Sequence, residues 1–211
     1  VTTIADLRAY LDPLPAETTV VLAGGDGTLN HFINDMGGEA PARDIYYFAA
    51  GSGNDFLRDA ERTRDDPPFL LNPYLQNLPT VTVNGMTRYF LNGIGYGIDG
   101  YCCEVGDKQR LKSDKPVNYT AIAIKGLLFG YHRTLADVCV DGDTKAYRAV
   151  WLAPTMKGRF YGGGMMCAPG QNRLDPEGSV STMVMTGRSK LKTLIVFPVS
   201  YTHLTLPTIR L

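Results

Sequence analysis

The 211-residue sequence lacks several features that would assign it to a class of proteins directly. Its 21 Lys and Arg residues balance 21 Asp and Glu residues, so the formal net charge is +0. This balance excludes a broad basic field, and we expect no nucleic-acid partner. No apolar run approaches the ~20 residues that span a bilayer, and no basic stretch with an apolar core follows Val1. We therefore predict neither a transmembrane segment nor a signal peptide, and a cytoplasmic location.

Cysteine is also scarce. The four cysteines, Cys102, Cys103, Cys139 and Cys167, form no CxxC pair, and no Cys/His spacing indicates a zinc site. We interpret them as reduced thiols of a cytoplasmic protein. The chain also lacks an initiator Met, which suggests that it begins inside a longer protein. Hydrophobic residues nevertheless make up 44% of the sequence, which is typical of one large or two small globular domains.

The first sixty residues follow an α/β pattern. The β-branched run at 18–23 predicts a buried strand, and residues 45–50 predict a second one. Between them, apolar residues recur at helical spacing from Leu29 to Met36. Strand, helix and strand over this length imply parallel pairing. Ligands of such sheets bind beyond the carboxyl ends of the strands.

The second half is richer in predicted strands. An Asn-Gly turn at 84–85 and an Asp-Gly turn at 141–142 each predict a β-hairpin. Further predictions, in chain order, are a linker or irregular crossing near 65–73, a polar loop at 106–115, a helix opened by Pro116, and strands at 180–185 and 194–199. These elements predict a β-sandwich or an open barrel after the α/β layer.

Two glycine-rich turns follow the two predicted strands of the first part, at 24–30 (GGDGTLN) and 50–56 (AGSGNDF). Glycine lets the backbone approach a ligand closely, and a helix start presents N–H groups to an anion, so phosphate is the natural guest. Asp26 beside a phosphate makes sense if a divalent cation lies between them. The Walker pattern GxxxxGK[ST] is absent. A helix cap is the alternative role for Asp26, Asn54 and Asp55.

Two further glycine-rich stretches lie later in the chain. Residues 90–100 (FLNGIGYGIDG) suggest a backbone that passes close to a ligand or to another chain segment. Asp99 in this stretch is a candidate acid or the cap of an Asx turn. Residues 161–178 (YGGGMMCAPGQNRLDPEG) contain a triple glycine and Asp-Pro-Glu-Gly. Each of these is typical of an ordinary loop or turn when it stands alone.

Together, GGDGTLN, GSGNDFLR, FLNGIGYGIDG and YGGGMMCAPGQNRLDPEG resemble, in this order, the successive motifs of the diacylglycerol kinase catalytic-domain family. That family includes bacterial lipid kinases and is related to sphingosine and ceramide kinases. The resemblance covers roughly residues 18–197. GGDG alone is shared with NAD kinases and phosphofructokinases, so the later motifs discriminate better. The resemblance implies an α/β nucleotide-binding domain followed by a β-sandwich domain, with the active site in the cleft between them.

The resemblance also implies a reaction, the transfer of the ATP γ-phosphoryl group to a lipid hydroxyl with Mg²⁺ as cofactor, and diacylglycerol is the leading acceptor. The implied nucleotide-binding residues are Gly24, Gly25, Asp26, Gly27, Thr28, Asn30, Gly51, Ser52, Gly53 and Asn54. Asp26 and Asp55 would hold the metal through water, and Asp26 also belongs to the implied catalytic set. Asp99 would lie near the acceptor head group. The general base would be an acid just before a glycine that follows the Ala-Pro motif; Glu177 is in the best position, with Asp175 as the alternative.

The family pattern divides the chain into an N-terminally truncated nucleotide-binding domain (1–78), a C-terminally incomplete β-sandwich for the lipid acceptor (79–199) and an unassigned tail (200–211). A strand–helix unit expected before Val1 and strands expected at the end are missing, so we interpret the chain as a fragment. Expected partners are ATP and a lipid acceptor reached by peripheral membrane contact, with a homodimer as one candidate assembly. Leu111 and its basic neighbours Lys108, Arg110, Lys112 and Lys115 form either a loop that approaches an anionic surface or a solvated one.

Two alternatives to a lipid kinase remain open at this point. One is an NAD kinase-like enzyme, because GGDG is a shared motif. The other is a module that binds a nucleotide or a lipid without catalysis.

Overall fold

A computed structural model of the protein describes residues 4–51, 54–113, 117–187, 189–190 and 209–210. Its helices are α1 (Leu7–Leu11), α2 (Asp26–Asp35), α3 (Asp55–Asp59), α4 (Ile98–Arg110) and α5 (Tyr119–Lys125), with a 3₁₀ turn at Asn72–Leu75 and a π-helical turn at Gly126–Gly130. Its strands are β1 (Val20–Gly24), β2 (Ile45–Ala49), β3 (Phe69–Leu70), β4 (Thr80–Val83), β5 (Met86–Tyr89), β6 (Gly93–Ile94), β7 (Thr134–Val140), β8 (Asp143–Leu152), β9 (Thr155–Met156), β10 (Phe160–Tyr161), β11 (Met165–Met166), β12 (Ser181–Thr182), β13 (Met185–Thr186) and β14 (Ile209–Arg210).

The chain divides into two units, and each of them is built from two segments of the sequence. Of the residues that the structure describes, those within 1–93 and 156–180 form the first unit, and those within 94–155 and 181–211 form the second. Residues 65–73 therefore do not separate the units, although they were a candidate linker. The domain boundary predicted at 78–79 stays a prediction.

An α/β layer forms the core of the first unit, as the strand and helix patterns predict. Strand β1 pairs in parallel with β2, from Val20 opposite Ile45 to Gly24 opposite Ala49, and β3 pairs antiparallel to β2. Helix α2 begins directly after β1 and buries its apolar face, because its apolar side chains recur at helical spacing. The buried core residues include Leu22, Leu29, Phe32, Ile33, Ile45, Tyr47 and Phe56. Both predicted strands therefore end at the same edge of the sheet.

The second unit is built on a long β-hairpin. Strands β7 and β8 pair antiparallel across the Asp141-Gly142 turn, in which both residues have positive φ, and β13 adds to the other edge of β8. The earlier Asn-Gly hairpin, β4 and β5, is also present in the first unit. The region predicted as one strand at 180–185 contains two short strands, β12 and β13. The strand predicted at 194–199 lies outside the described residues.

The polar loop predicted at 106–115 is wrong over residues 106–110, because α4 continues to Arg110; residues 111–113 lie outside the helix, and residues 114 and 115 are not described. Polar composition hides a buried stripe, since Ile98, Cys102 and Gly106 follow one another at intervals of four residues and are all buried. Gly106 disfavours a helix, yet it allows close packing: an added Cβ would lie 2.7 Å from the ring of Tyr119 on α5. Helix–helix packing thus overrides intrinsic propensity. None of the described helices is long and apolar enough to cross a membrane.

Candidate functional site

The two glycine-rich turns of the first unit lie in direct backbone contact. A Cβ added to Gly25 would lie 2.9 Å from Cα of Gly51, so only glycine fits at this crossing. The carbonyl oxygen of Gly24 accepts hydrogen bonds from the N–H groups of Ala50 (2.9 Å) and Gly51 (3.2 Å) and from the hydroxyl of Tyr47 (2.9 Å). The expectation that both turns lie at one edge of the sheet is met, and the turns are locked together.

The carboxylate of Asp26 joins the first turn to the helix that follows the second. Its Oδ2 accepts the N–H of Asp55 at 2.8 Å, and its Oδ1 accepts the N–H of Phe56 and the Nδ2 amide of Asn92, each at 3.0 Å. Residues 55 and 56 begin α3, so Asp26 caps that helix from a distant part of the sequence. Sequence patterns predict caps only from neighbouring residues, and this role was missed.

Asn54 occupies the N-cap position of α3 without capping it. Its backbone is left-handed (φ 52°, ψ 45°), and its Nδ2 donates to the carbonyl of Gly51 at 2.9 Å. No side-chain cap hydrogen bond is formed at this position. The cap from Asp26 replaces the local cap that was an alternative role for Asn54 and Asp55.

Two buried oxygen atoms in this region have no hydrogen-bond partner within the described ranges: Oδ1 of Asn54 and Oδ1 of Asp55. The other carboxylate oxygen of Asp55 accepts the N–H of Gly163 at 3.0 Å. Burial raises the pKa of Asp55, the Gly163 N–H opposes that shift, and the charge of Asp26 adds to it. A buried oxygen without a donor costs free energy unless a ligand satisfies it, so these two atoms indicate a binding position.

The triple glycine at 162–164 is the turn between β10 and β11. All three residues have positive φ, at 63°, 89° and 116°, which glycine adopts most readily. The turn directs Gly163 N–H toward Asp55, and a Cβ on Gly164 would lie 2.0 Å from Nη1 of Arg58. This stretch is therefore a turn with a defined backbone conformation and specific contacts in the first unit, whereas its composition alone is equally typical of a flexible loop.

A buried network of ion pairs is connected to the turns through Asn92 and Asp26. The Asp59 carboxylate accepts Nε of Arg159 at 2.7 Å and Nε of Arg173 at 2.6 Å. Arg173 also donates to the carbonyl of Leu91 and to Oδ1 of Asn92, both at 2.7 Å, and Asn92 donates in turn to Asp26. The network was missed from the sequence, although Asn92 and Arg173 lie within the quoted motifs.

Gly27 differs from the other glycines of the first turn. It is the second residue of α2 and is exposed, and an added Cβ would have no atom within 4 Å. By contrast, a Cβ on Gly24 would lie 2.3 Å from Oγ1 of Thr28. The first N–H groups of a helix lack intrahelical acceptors, so the start of α2 presents donors beside an open position. Asn30 is exposed on the same helix.

The two candidate general bases lie in one turn of the first unit. Asp175 caps this turn by accepting the N–H of Glu177 at 3.1 Å and the hydroxyl of Ser179. The Ser179 hydroxyl, followed by the Glu177 N–H, lowers the pKa of Asp175. Glu177 is exposed. Among the hydrogen bonds of the described residues, none joins Asp175 or Glu177 to Asp26, so their roles stay predictions.

Lys157 is a third charged residue near this turn. It is 1% exposed, and its Nζ has no hydrogen-bond partner in the part of the chain that is described. Burial lowers the pKa of Lys157, while the charge of Asp175 opposes that shift.

Asp99, which is predicted to lie near the head group of the acceptor lipid, belongs to the second unit. It stands in the first turn of α4, and a Cβ on Gly95 would lie 2.5 Å from its Oδ2. This oxygen is buried and unpartnered among the described residues, and burial raises the pKa of Asp99 to about 6. Gly95 and Gly97 are thus explained by contacts with other chain segments, since a Cβ on Gly97 would lie 2.5 Å from the Trp151 carbonyl oxygen.

The oxygen atoms around the two turns suit a Mg²⁺ ion that is held through water molecules better than one that is bound directly. The described part of the chain contains no cluster of three or more His, Cys, Asp or Glu residues that could hold a metal ion. Asp26 already accepts three protein hydrogen bonds, whereas Asp55 and Asn54 each offer one unused oxygen. Mg²⁺ prefers oxygen ligands and retains several waters, which fits this set. Ser52 and Gly53, also predicted here, lie outside the described residues.

Comparison with protein families agrees with the fold. Residues 5–85 match the diacylglycerol kinase catalytic domain, and residues 92–211 match the YegS C-terminal NAD kinase beta sandwich-like domain. The chain belongs to the diacylglycerol kinase family, in which a catalytic domain is followed by this sandwich domain. The predicted fold class, an α/β domain followed by a β-sandwich, is therefore confirmed. Members of this family are lipid kinases, which are phosphotransferases.

Individual relatives are distant. The Bacillus subtilis (strain 168) protein named "Putative lipid kinase YtlR" is 24% identical over 169 residues, which are 71% of this chain and 53% of that protein. A crystal structure of a diacylglycerol kinase from Bacillus anthracis str. Sterne superimposes with a TM-score of 0.58 at 16% identity, covering 91% of this chain and 63% of that one. The chain thus spans about half of the curated relative and under two thirds of the solved one.

Proposed function

We propose that this protein transfers the γ-phosphoryl group of ATP to the hydroxyl of a lipid, with diacylglycerol as acceptor and Mg²⁺ as cofactor. One observation carries the proposal: the turns at Gly25 and Gly51 touch, and the open position at Gly27 and the unused oxygens of Asn54 and Asp55 lie at those turns. This arrangement combines free helix N–H groups with acidic oxygens, which is what a metal-bound triphosphate requires.

In this proposal the first turn holds the phosphates. The N–H groups at the start of α2, from Asp26 to Thr28, would donate to phosphate oxygens, and the absent side chain of Gly27 would leave room for them. The remaining predicted contacts, including Asn30, Ser52, Gly53 and Asn54, would complete the rim. Asp26 would act mainly by holding α3, and hence Asn54 and Asp55, in place.

Asp55 would face the metal through water, since it has an unused oxygen and stands at the start of α3. Mg²⁺, when bound, would neutralise charge that develops on the transferring phosphoryl group. Burial raises the pKa of Asp55, and a nearby cation would oppose that shift by favouring the ionised carboxylate.

The acceptor hydroxyl needs a group that takes its proton. We assign this step to Glu177, with Asp175 as the alternative, and we place Asp99 near the acceptor head group. The hydrogen bonds from the Ser179 hydroxyl and the Glu177 N–H lower the pKa of Asp175, which makes this carboxylate a poorer proton acceptor. Asp99 retains an unused oxygen that could accept a hydrogen bond from the acceptor.

The decisive experiment follows labelled γ-phosphate from ATP in the full-length protein. Diacylglycerol, another lipid alcohol such as a ceramide, and NAD are offered separately with Mg²⁺, and the Glu177→Gln and Asp175→Asn variants are assayed in parallel. We expect label in the diacylglycerol product, and a ~10²–10⁴-fold loss of kcat in Glu177→Gln with little change in KM.

Other outcomes would contradict specific parts of the proposal. Label only in NADP would establish an NAD kinase-like enzyme, and label in the other lipid would correct the acceptor. Binding of ATP and Mg²⁺ in calorimetry without transfer to any acceptor would leave a non-catalytic binding module. Loss of turnover in Asp175→Asn but not in Glu177→Gln would reassign the base.

A further inference from the structure

A buried lysine of the first unit carries a charge that the proposed reaction does not use. Lys157 is 1% exposed, and its Nζ atom has no hydrogen-bond acceptor among the residues that the structure describes. Lysine is almost never fully buried unless it is paired, because an ammonium group that loses water without gaining acceptors costs free energy. The group has three donors and no acceptor, so a ligand that completes it must supply oxygen atoms or negative charge.

The backbone of Lys157 is fixed beside the residues that connect the two glycine turns. The N–H groups of Lys157 and Gly158 donate to the carbonyl oxygen of Asn92 at 2.8 Å and 2.9 Å. The side-chain amide of Asn92 donates in turn to Oδ1 of Asp26 at 3.0 Å. A Cβ on Gly158 would lie 2.2 Å from Nη2 of Arg173, so the chain packs closely against the buried ion network at this point. Lys157 is therefore linked through a single residue to the carboxylate of Asp26 at the proposed phosphate site.

Two charged side chains of the first unit act on the Lys157 ammonium group, although neither shares a hydrogen bond with it in the described part of the chain. Burial lowers the pKa of Lys157 most, the carboxylate of Asp175 opposes this shift, and the guanidinium of Arg173 adds to it. Asp175 instead accepts the Glu177 N–H and the Ser179 hydroxyl. Lys157 would repel a cationic ligand, and a neutral ligand would leave its charge uncompensated. The arrangement therefore favours an anion whose oxygen atoms lie beside the turn that contains Asp175 and Glu177.

We propose that the ammonium group of Lys157 donates to a non-bridging oxygen of the phosphoryl group that is transferred, an inference that rests on the proposed function. If Glu177 or Asp175 takes the proton of the acceptor hydroxyl, the γ-phosphorus must lie next to that hydroxyl and therefore next to this turn. The acceptor oxygen forms a bond to phosphorus while the bond from phosphorus to the bridging oxygen of ADP breaks, and the proton passes to the carboxylate. Lys157 stays protonated throughout and offsets the negative charge that is spread over the phosphoryl oxygens.

Calorimetric titration of the full-length protein with Mg²⁺ and either ADP or a non-hydrolysable ATP analogue tests this contact without a lipid acceptor. In Lys157→Met we expect the ATP analogue to bind ~10-fold to 100-fold more weakly, because a hydrogen bond to a charged group is lost, and ADP to bind as it does to the wild type. The control is Lys145→Met, which removes an exposed lysine from β8 in the second unit and should change neither affinity. In the labelled transfer assay, Lys157→Met should lower kcat by ~10²–10³-fold. Without nucleotide, its urea midpoint should equal or exceed that of the wild type, because a buried charge is removed.

Three results would overturn this inference. Equal affinity of Lys157→Met and the wild type for the ATP analogue would mean that Lys157 does not contact the γ-phosphoryl group. Equal losses of affinity for ADP and for the analogue would place Lys157 away from the transferred group. A lower urea midpoint without nucleotide, or failure of the variant to fold, would assign Lys157 to the stability of the first unit. A wild type that binds neither nucleotide would instead refute the proposed function itself, and the inference with it.

Discussion

Asp59 in the first unit is buried, and Asp99 in the second unit is partly exposed but has a buried Oδ2; the surroundings of the two carboxylates differ. Asp59 accepts hydrogen bonds from two arginines, Arg159 and Arg173, and each carboxylate oxygen has a charged donor within 2.7 Å. Asp99 has an unpartnered Oδ2 among the described residues, and its pKa is raised to about 6 by burial. Low dielectric strengthens the first arrangement and penalises the second.

The difference separates structural acids from candidate functional ones. A buried carboxylate whose donors are all supplied by the protein maintains the fold, and removing a donor should cost stability. A buried carboxylate with an unused oxygen lowers stability and is retained where a ligand completes it. Asp26 is closer to Asp59 by this criterion, whereas Asp55 is closer to Asp99.

The largest expected effect is on the structural side. Arg173→Met leaves Asp59 with one arginine and removes the donors to Leu91 and Asn92. We expect the free energy of unfolding to fall by roughly 3–5 kcal/mol, measured by urea denaturation of the full-length protein. The control is Arg8→Met, whose exposed ion pair with Glu39 should contribute at most about 1 kcal/mol. Similar losses in both variants would refute the structural role of the buried network.

The sequence predicts the strands and the glycine turns of the first unit, but it does not predict the buried ion network around Asp59. The parallel strands and both glycine turns follow from local patterns: β-branched runs, apolar spacing and the position of Gly25 and Gly51 after each strand. The pairing of Asp59 with Arg159 and Arg173 spans about a hundred residues, and no periodicity encodes it. The cap from Asp26 to α3 was missed for the same reason. Helix α4 was misjudged because glycine and charge obscured a stripe that only packing against α5 explains.

Asp99→Asn should produce the next largest effect, and with the opposite sign. The carboxyl pKa is about 6 in the folded protein against 3.8 in the reference state, so the folded state binds more protons between these values. Stability is therefore lost as pH rises from about 4 to 6, by up to roughly 3 kcal/mol. The variant should be more stable than the wild type at pH 8 and similar at pH 4, while transfer to the lipid falls. Urea denaturation at the two pH values measures this, and equal stability at pH 8 would contradict it.

Asp26 tests the distinction between structural and functional carboxylates, because we assign it both roles. Asp26→Ala removes the acceptor of the Asp55, Phe56 and Asn92 donors, so we expect a loss of about 1–3 kcal/mol in stability together with a severe loss of phosphoryl transfer. Asp26→Asn keeps one acceptor oxygen and should lose less stability. Urea denaturation and the labelled transfer assay measure the two properties separately. Unchanged turnover in a folded Asp26→Ala protein would refute any role of this residue at the site.

The smallest expected change in stability gives the sharpest test of function. Gly27→Ala adds a methyl group where no atom lies within 4 Å, and alanine favours helix over glycine by up to about 1 kcal/mol. Gly100→Ala is the matched control, because Gly100 is also near the start of a helix, α4, and is equally unobstructed. Both substitutions should leave stability unchanged or raise it slightly in urea denaturation.

If phosphates approach the start of α2, only the alanine at 27 stands in their way. Calorimetric titration with ATP and Mg²⁺ should then show weaker binding in Gly27→Ala and unchanged binding in Gly100→Ala. Equal ATP affinity in the two variants would mean that the open position at Gly27 is not a phosphate site. The locked glycine turns would then be only a feature of packing, like Asp59, and the acids beside them would need another ligand.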